Sequence, residues 1–263
     1  MSRGALTDGL RMSVGTLTAL RVPAPSRIDL QVARVAMLAA PLPGVALGAI
    51  AAGVAALGDL LSVPPVATAV GVVGSVALAS RGLHLDGLAD TADGLASSHE
   101  RDRALAVMRT GDVGPAGAVT LVLVLVAQVG AVAALLGDGP TARGAVAAGL
   151  AVLAGRAVLP MVCAGPWASA RPDGLGAAVT RSVPWPAALV VTAVVLAASS
   201  ALAGLAGLPG LGTTAALVLG WSVAMLLVTL VARRIGGTTG DVLGAAVETA
   251  TVVSLVALSA AVA

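Results

Sequence analysis

From residue 41 onward the chain alternates between apolar stretches and short polar breaks, and each apolar stretch is about twenty residues long, the length a helix needs to cross hydrocarbon. The pattern predicts spans over 41–61, 65–82, 115–136, 143–163, 186–207, 213–232 and 242–262. The breaks GDLLSVPP, GDGPT, GLPGLG and RRIGGTTG are rich in turn-forming residues. Ahead of the spans, Leu6, Leu10, Val14 and Leu17 recur at helical spacing with Arg3, Arg11 and Arg21 nearby. That pattern predicts a helix over 4–22 lying in the membrane interface and ended by Pro23 and Pro25, with a second helix near 28–40. Residues 97–109 predict an amphipathic helix opened by a capping box of Ser97 and Glu100, with Leu105 and Met108 on its apolar side. Gly and Ala at i, i+4 spacing suggest close helix contacts.

Composition supports an all-α, polytopic membrane bundle of about seven spans, read as a single domain over 1–263. The chain is 58% hydrophobic and only 11% charged, with a mean hydropathy of +1.01. Soluble domains carry about 25% charged residues, so a soluble helical bundle is the weaker reading. The lone Cys163 lies in an apolar run, which excludes an internal disulfide and marks it as a small buried hydrophobe. No charged-then-apolar signal peptide is present, so the first span is expected to serve as the insertion signal.

All fifteen cations are arginines, and they set the orientation. With the N-terminus inside and seven alternating spans, thirteen of the fifteen fall on the inner side; Arg143 and Arg156 are the exceptions. This is a strong positive-inside pattern. It places Asp86, Asp90, Asp93, Asp112 and Asp241 on the same cytoplasmic side, with Trp167 and Trp185 as interfacial anchors around the inner loop 164–185. The expected setting is a bacterial or archaeal cell (inner) membrane, crossed several times, with the active site facing the cytoplasm. The lipid bilayer is the expected partner, a homo-oligomer is left open, and no nucleic-acid partner is expected.

The chemistry concentrates in RGLHLDGLADTADG, residues 81–94. In a helix turning about 100° per residue, Asp86, Asp90 and Asp93 fall within roughly 60° of one another. Carboxylates crowded in this way repel unless a cation sits between them. Hard divalent cations prefer such oxygens, and Mg²⁺ binds through a few carboxylates plus substrate phosphates. The three aspartates are therefore the expected metal ligands and catalytic acids, against the alternative of a solvated acidic loop. Gly82, Gly87 and Gly94 are expected to let a ligand approach the backbone. His84 adds a candidate ligand or proton-transfer group, and Arg81, which opens the segment, a candidate substrate contact.

Three further features qualify. Arg109, beside Thr110, Gly111 and Asp112, is placed to hold an anionic substrate group, whereas Arg101 and Arg103 read as headgroup or topology residues. Arg156 sits mid-span in VLAGRAVLPM, where a charge is costly unless it meets substrate phosphate or a buried acid such as Glu248. In RRIGGTTGDVLGAAVE, the Gly/Thr loop with Thr239 leads into a helix starting near Asp241, and a helix N-terminus favours anions. No P-loop pattern is present, and Glu248 follows on the same face as Asp241.

Together GLHLDGLADTADG, MRTGDVGPAG and GGTTGDVLGAAVE closely resemble the cobalamin synthase family of membrane enzymes, the adenosylcobinamide-GDP ribazoletransferases. The likeness runs over nearly the whole chain, including TLTALRVP and the Pro-Gly at 43–44. It implies that adenosylcobinamide-GDP and α-ribazole, or its 5′-phosphate, are joined with release of GMP, with Mg²⁺ as cofactor. It also implies site roles for Asp86, Asp90, Asp93, Asp241, Glu248 and Arg156. One departure stands at residues 108–114: where members read M-K/R-D-S-R-x-G, this chain has Thr110 and Asp112 in place of an acid and a base. Two rivals fit less well. The CDP-alcohol phosphotransferase signature starts at Asp90 and Asp93 but fails at Ser97 and Ser98, and lacks its later GxxxDxxxD. An ion-coupled transporter would hold its acids near the midplane and show an inverted repeat.

Overall fold

The computed structural model describes residues 3–97, 99–137 and 141–262. The elements are α1 (Arg3–Leu17), α2 (Leu30–Leu38), α3 (Pro41–Leu60), α4 (Pro65–Ala79), α5 (Leu83–Ser97), α6 (Arg101–Val107), α7 (Pro115–Gly137), α8 (Thr141–Ala157), α9 (Leu159–Ala164), α10 (Gly174–Val179), α11 (Trp185–Leu205), α12 (Gly210–Ile235) and α13 (Gly240–Val262). Among the described residues no strand forms; one isolated parallel bridge joins Ser169 to Thr238. The expected break at 137–141 falls partly on residues 138–140, which lie outside the described residues, as does Ser98.

Six segments are long and apolar enough to cross a membrane: Leu30–Leu60, Pro115–Gly137, Thr141–Ala164, Trp185–Leu205, Gly210–Ile235 and Gly240–Ala261. A seventh crossing is reached only through α4, whose partner α5 is bent from it by 89°. At about 1.5 Å per residue, α4 is shorter than the hydrocarbon core is thick. The chain turns between them because Arg81 (φ 56°) and Gly82 (φ 65°) are both left-handed. The aspartate-bearing helix therefore leaves the direction of α4 and packs over the starts of α13 and α7.

Several boundaries differ from the hydropathy pattern for visible reasons. The N-terminal helix stops at Leu17, short of Pro23, because Ala19 N–H donates to the Ala79 carbonyl at 2.6 Å instead of continuing the helix. The helix near 28–40 and the span 41–61 join into the single crossing Leu30–Leu60. Asp29 starts it by accepting from the Gln31 and Val32 N–H groups, both at 2.9 Å. The span at 143–163 breaks after Ala157, where Pro160 removes a backbone donor. The capping box does not form. Ser97 is the last residue of α5 and its hydroxyl donates to the Gly94 carbonyl at 2.9 Å, while α6 begins after Glu100. Cys163 is free and buried.

Small residues let the core helices close on one another. Gly48 of α3 and Gly149 of α8 face each other so tightly that a Cβ on Gly48 would lie 2.5 Å from the Gly149 carbonyl oxygen. The Trp221 Nε1–H crosses from α12 to donate to the Ala154 carbonyl at 2.8 Å. Beside these contacts, α5 packs over the first turns of α13 and α7. That crossing positions the functional site.

Candidate active site

A cavity of about 240 Å³ opens beside the α5–α13 crossing. His84 and Asp86 of α5, Arg171 and Asp173 of the 165–173 segment, Thr239, and Gly240 and Asp241 of α13 line it together. The crossing is close because Gly87 has no side chain: a Cβ there would lie 2.8 Å from the Asp241 carbonyl oxygen. Gly244 likewise meets His84, at 3.2 Å to its Cα. The glycines expected to admit a ligand therefore serve other ends. Gly87 lets α5 rest on α13, Gly94 faces Met108 next to α6, and Gly82 makes the turn.

The acids divide by environment. Asp86 is exposed, whereas Asp90 and Asp93 are buried. The Asp90 carboxyl is pushed up to about 6, first by burial and then by the nearby carboxylates of Asp86 and Asp241, with Arg171 opposing. Asp93 has a structural task beside the one its spacing suggested. Its two oxygens accept from Gly114 N–H at 2.7 Å and Gly117 N–H at 2.8 Å, and so hold the first turn of α7. No group of three His, Cys, Asp or Glu side chains among the described residues stands close enough to enclose a metal ion. The expected set of Asp86, Asp90 and Asp93 is thus not assembled as one three-carboxylate site. The structure instead brings Asp241 into the field of Asp86 and Asp90.

The Gly/Thr loop is built as the pattern suggested. Gly236 caps α12 in the left-handed conformation (φ 76°) and α13 starts at Gly240. Thr239 caps that start, its hydroxyl accepting from Val242 N–H at 3.3 Å and donating to Asp241 Oδ2 at 3.1 Å. The 168–170 segment pairs with the loop: Ala170 N–H donates to the Thr238 carbonyl at 2.8 Å, and Thr238 N–H to the Ala168 carbonyl at 2.9 Å.

Arg171, which the sequence reading placed only by topology, is the arginine on the cavity wall. It donates to Asp241 Oδ2 at 3.1 Å and to the Leu105 carbonyl at 3.2 Å. Two other arginines hold the same segment. Arg101 donates to the Ala170 carbonyl at 3.1 Å, a tertiary contact where a lipid or topology role was expected, and Arg109 donates to Asp173 at 3.0 Å on the surface. The signal available for Arg171 was its place in a polar stretch between two apolar runs, which does not separate it from the other inner arginines.

Arg81, Arg156 and Glu248 lie off this cavity. Arg81 donates to the Gly15 carbonyl at 2.6 Å and ties the α4–α5 bend to α1. Arg156 and Glu248 line a separate internal cavity of about 20 Å³ with Gln128, Ser80 and Thr251. Gln128 donates to Glu248 at 2.9 Å, and Arg156 Nη2 stands 3.4 Å from His84 Nδ1. Among the described residues Arg156 Nε and Nη1 have no hydrogen-bond partner. Asp112 is exposed beside a shallow pocket with Asp93, Ser97 and Thr110.

An all-α bundle with six segments long and apolar enough to cross a membrane, which gathers acids, an arginine and a helix N-terminus around one opening, defines a polytopic membrane protein with a site suited to an anion. A model of the cobalamin-5-phosphate synthase family matches residues 9–259, and the chain belongs to that family. Relatives named adenosylcobinamide-GDP ribazoletransferase are similar over almost their full lengths. One from Nocardioides sp. is 43% identical, covering 97% of this chain and 100% of the relative. One from Frankia casuarinae is 36% identical over 95% and 93%, and one from Klebsiella pneumoniae 38% identical over 90% and 94%. No solved structure matches the chain.

Proposed function

We propose that the chain joins adenosylcobinamide-GDP to α-ribazole or its 5′-phosphate, releasing GMP and giving adenosylcobalamin or its 5′-phosphate. This is the late nucleotide-loop assembly step of cobalamin biosynthesis. The observation that carries the reading is the cavity where Asp86, Asp241, Arg171 and the first turn of α13 converge. Such a wall suits a diphosphate: the guanidinium and helix N–H groups can meet phosphate oxygens, and the neighbouring acids would hold a divalent cation that neutralises the diphosphate charge. We place the opening on the cytoplasmic side of the cell membrane, following the arginine distribution.

The donor set fits Mg²⁺ held by a few carboxylates plus substrate phosphates, and Asp86 and Asp90 are its proposed ligands. When bound, the ion would neutralise charge on the diphosphate and on the departing GMP. The protein's own residues do the positioning. Arg171 pairs with phosphate oxygens in place of Asp241, Thr239 holds the start of α13, and Asp93 keeps α7 under α5. The ribazole hydroxyl, aligned opposite the leaving GMP, attacks the phosphorus proximal to cobinamide, and its proton passes to a carboxylate of the same wall. We give that role to a carboxylate and not to His84. Arginine only donates, so with Arg156 Nη2 facing it His84 Nδ1 accepts, and the ring proton sits on Nε2.

The test is purified protein in liposomes with adenosylcobinamide-GDP, α-ribazole and Mg²⁺, following GMP and cobalamin by chromatography. Both products are expected in equal amounts, and EDTA should abolish them. Product formation unchanged by EDTA would remove the metal from the reading. No product across Mg²⁺ and Mn²⁺ would remove the reaction.

A further inference from the structure

The cavity has two unlike walls. Every charged group that lines it comes from α5, the 165–173 segment or α13. The rest of the lining, from α1, α2, α9 and α10, presents Leu17, Met37, Leu159 and Val179, and Thr16 carries its one polar side chain. Leu17, Met37 and Leu159 are each 3% exposed and Val179 is 0% exposed, so this wall is the floor. Asp86 and Asp173 are exposed at the mouth.

A ligand seated here would have an apolar head pointing inward and a phosphate or hydroxyl end at the rim. The two substrates differ in this respect. The dimethylbenzimidazole of α-ribazole is a flat apolar ring with two methyl groups and one free ring nitrogen that accepts a hydrogen bond. Guanine carries an exocyclic amine, a ring N–H and a carbonyl, which an aliphatic wall with a single hydroxyl would leave unpaired. The corrinoid is far too large for about 240 Å³. We infer that this floor is the seat of the ribazole base: the benzimidazole lies among Leu17, Met37, Leu159 and Val179, with its free nitrogen toward Thr16. The corrinoid and its GDP arm stay at the charged mouth. The Met37 thioether suits an aromatic face. Seated so, the ribose extends toward Asp86 and Arg171, where the attacking hydroxyl is needed. This rests on the transferase reading and adds which substrate takes which wall.

Steady-state kinetics with each substrate varied in turn tests it. Met37→Trp fills the floor and should raise KM for α-ribazole about tenfold or more, leaving KM for adenosylcobinamide-GDP within about twofold. A rise confined to adenosylcobinamide-GDP, or equal for both, overturns the assignment. Should Met37→Trp fail to fold, Leu159→Ala opens the same wall and should raise the turnover of a bulkier 5,6-diethylbenzimidazole riboside relative to α-ribazole; an unchanged ratio overturns it. Equilibrium dialysis of α-ribazole alone against the wild-type and Leu159→Ala proteins separates the two readings. Saturable binding weakened by Leu159→Ala keeps the base seat even if no cobalamin forms, and binding that Leu159→Ala leaves unchanged overturns it.

Discussion

Asp86, Asp90 and Asp93 share one helix face yet do different work, and substitution should separate them. Asp86→Ala and Asp90→Ala are expected to abolish turnover while the protein still inserts and keeps its melting temperature, because neither carboxylate holds a backbone element. Asp93→Ala strips two N–H groups at the start of α7 of their acceptor. It should cost about 1–3 kcal/mol of stability, read as a lowered melting temperature in detergent. Equal melting temperatures for all three variants would return Asp93 to the catalytic set. Arg171→Ala should raise KM for adenosylcobinamide-GDP more than KM for α-ribazole, since the guanidinium stands with Asp241 at the charged mouth. An unaffected KM for the GDP substrate would leave Arg171 a purely structural ion pair.

The α5–α13 crossing depends on glycine. A methyl group at Gly87 would lie 2.8 Å from the Asp241 carbonyl oxygen and 2.9 Å from its Cα, both backbone atoms that cannot turn aside. Gly87→Ala should therefore push α5 off α13, separating Asp86 from Asp241. The expected result is a fall in kcat of about tenfold or more, because a misplacement of about 1 Å costs up to 100-fold in a positioned site. Wild-type kcat in Gly87→Ala would show that the crossing tolerates slack. Short α9 and α10 owe their form to neighbouring constraints as well. Pro160 breaks the α8 span, and Gly176 lets α10 rest on the start of α13, where a Cβ would lie 2.5 Å from Gly240 N.

For the whole protein, the arginine pattern and the fold make one joint prediction about sidedness. Cysteines introduced at Arg103 and at Leu61 are exposed and lie at opposite ends of the crossing order, and the native Cys163 is buried. An impermeant thiol reagent should label Arg103→Cys only in inverted vesicles and Leu61→Cys only in right-side-out ones. The reverse pattern would put the cavity on the outer face.

The all-α membrane class and most span boundaries were legible in the chain, because burial in hydrocarbon requires long apolar helices whatever their arrangement. The acidic segment 81–94 and the start of α13 near Asp241 were legible for a similar reason: polar residues stand out in an apolar chain, and Gly and Thr mark a helix start locally. The motif likeness carried the family. Which polar group meets which was not legible. Asp93 pairs with Gly114 and Gly117, Arg171 with Asp241, and Glu248 with Gln128 across 120 residues. None of these pairs shares a helix, so no periodicity encodes them. The Asp93 pairs arise where the 89° bend at Arg81 and Gly82 lays α5 over the start of α7, and the others where distant segments pack against α13. A local pattern reports which face a residue occupies along its own helix; the partner on that face is set by how distant helices pack.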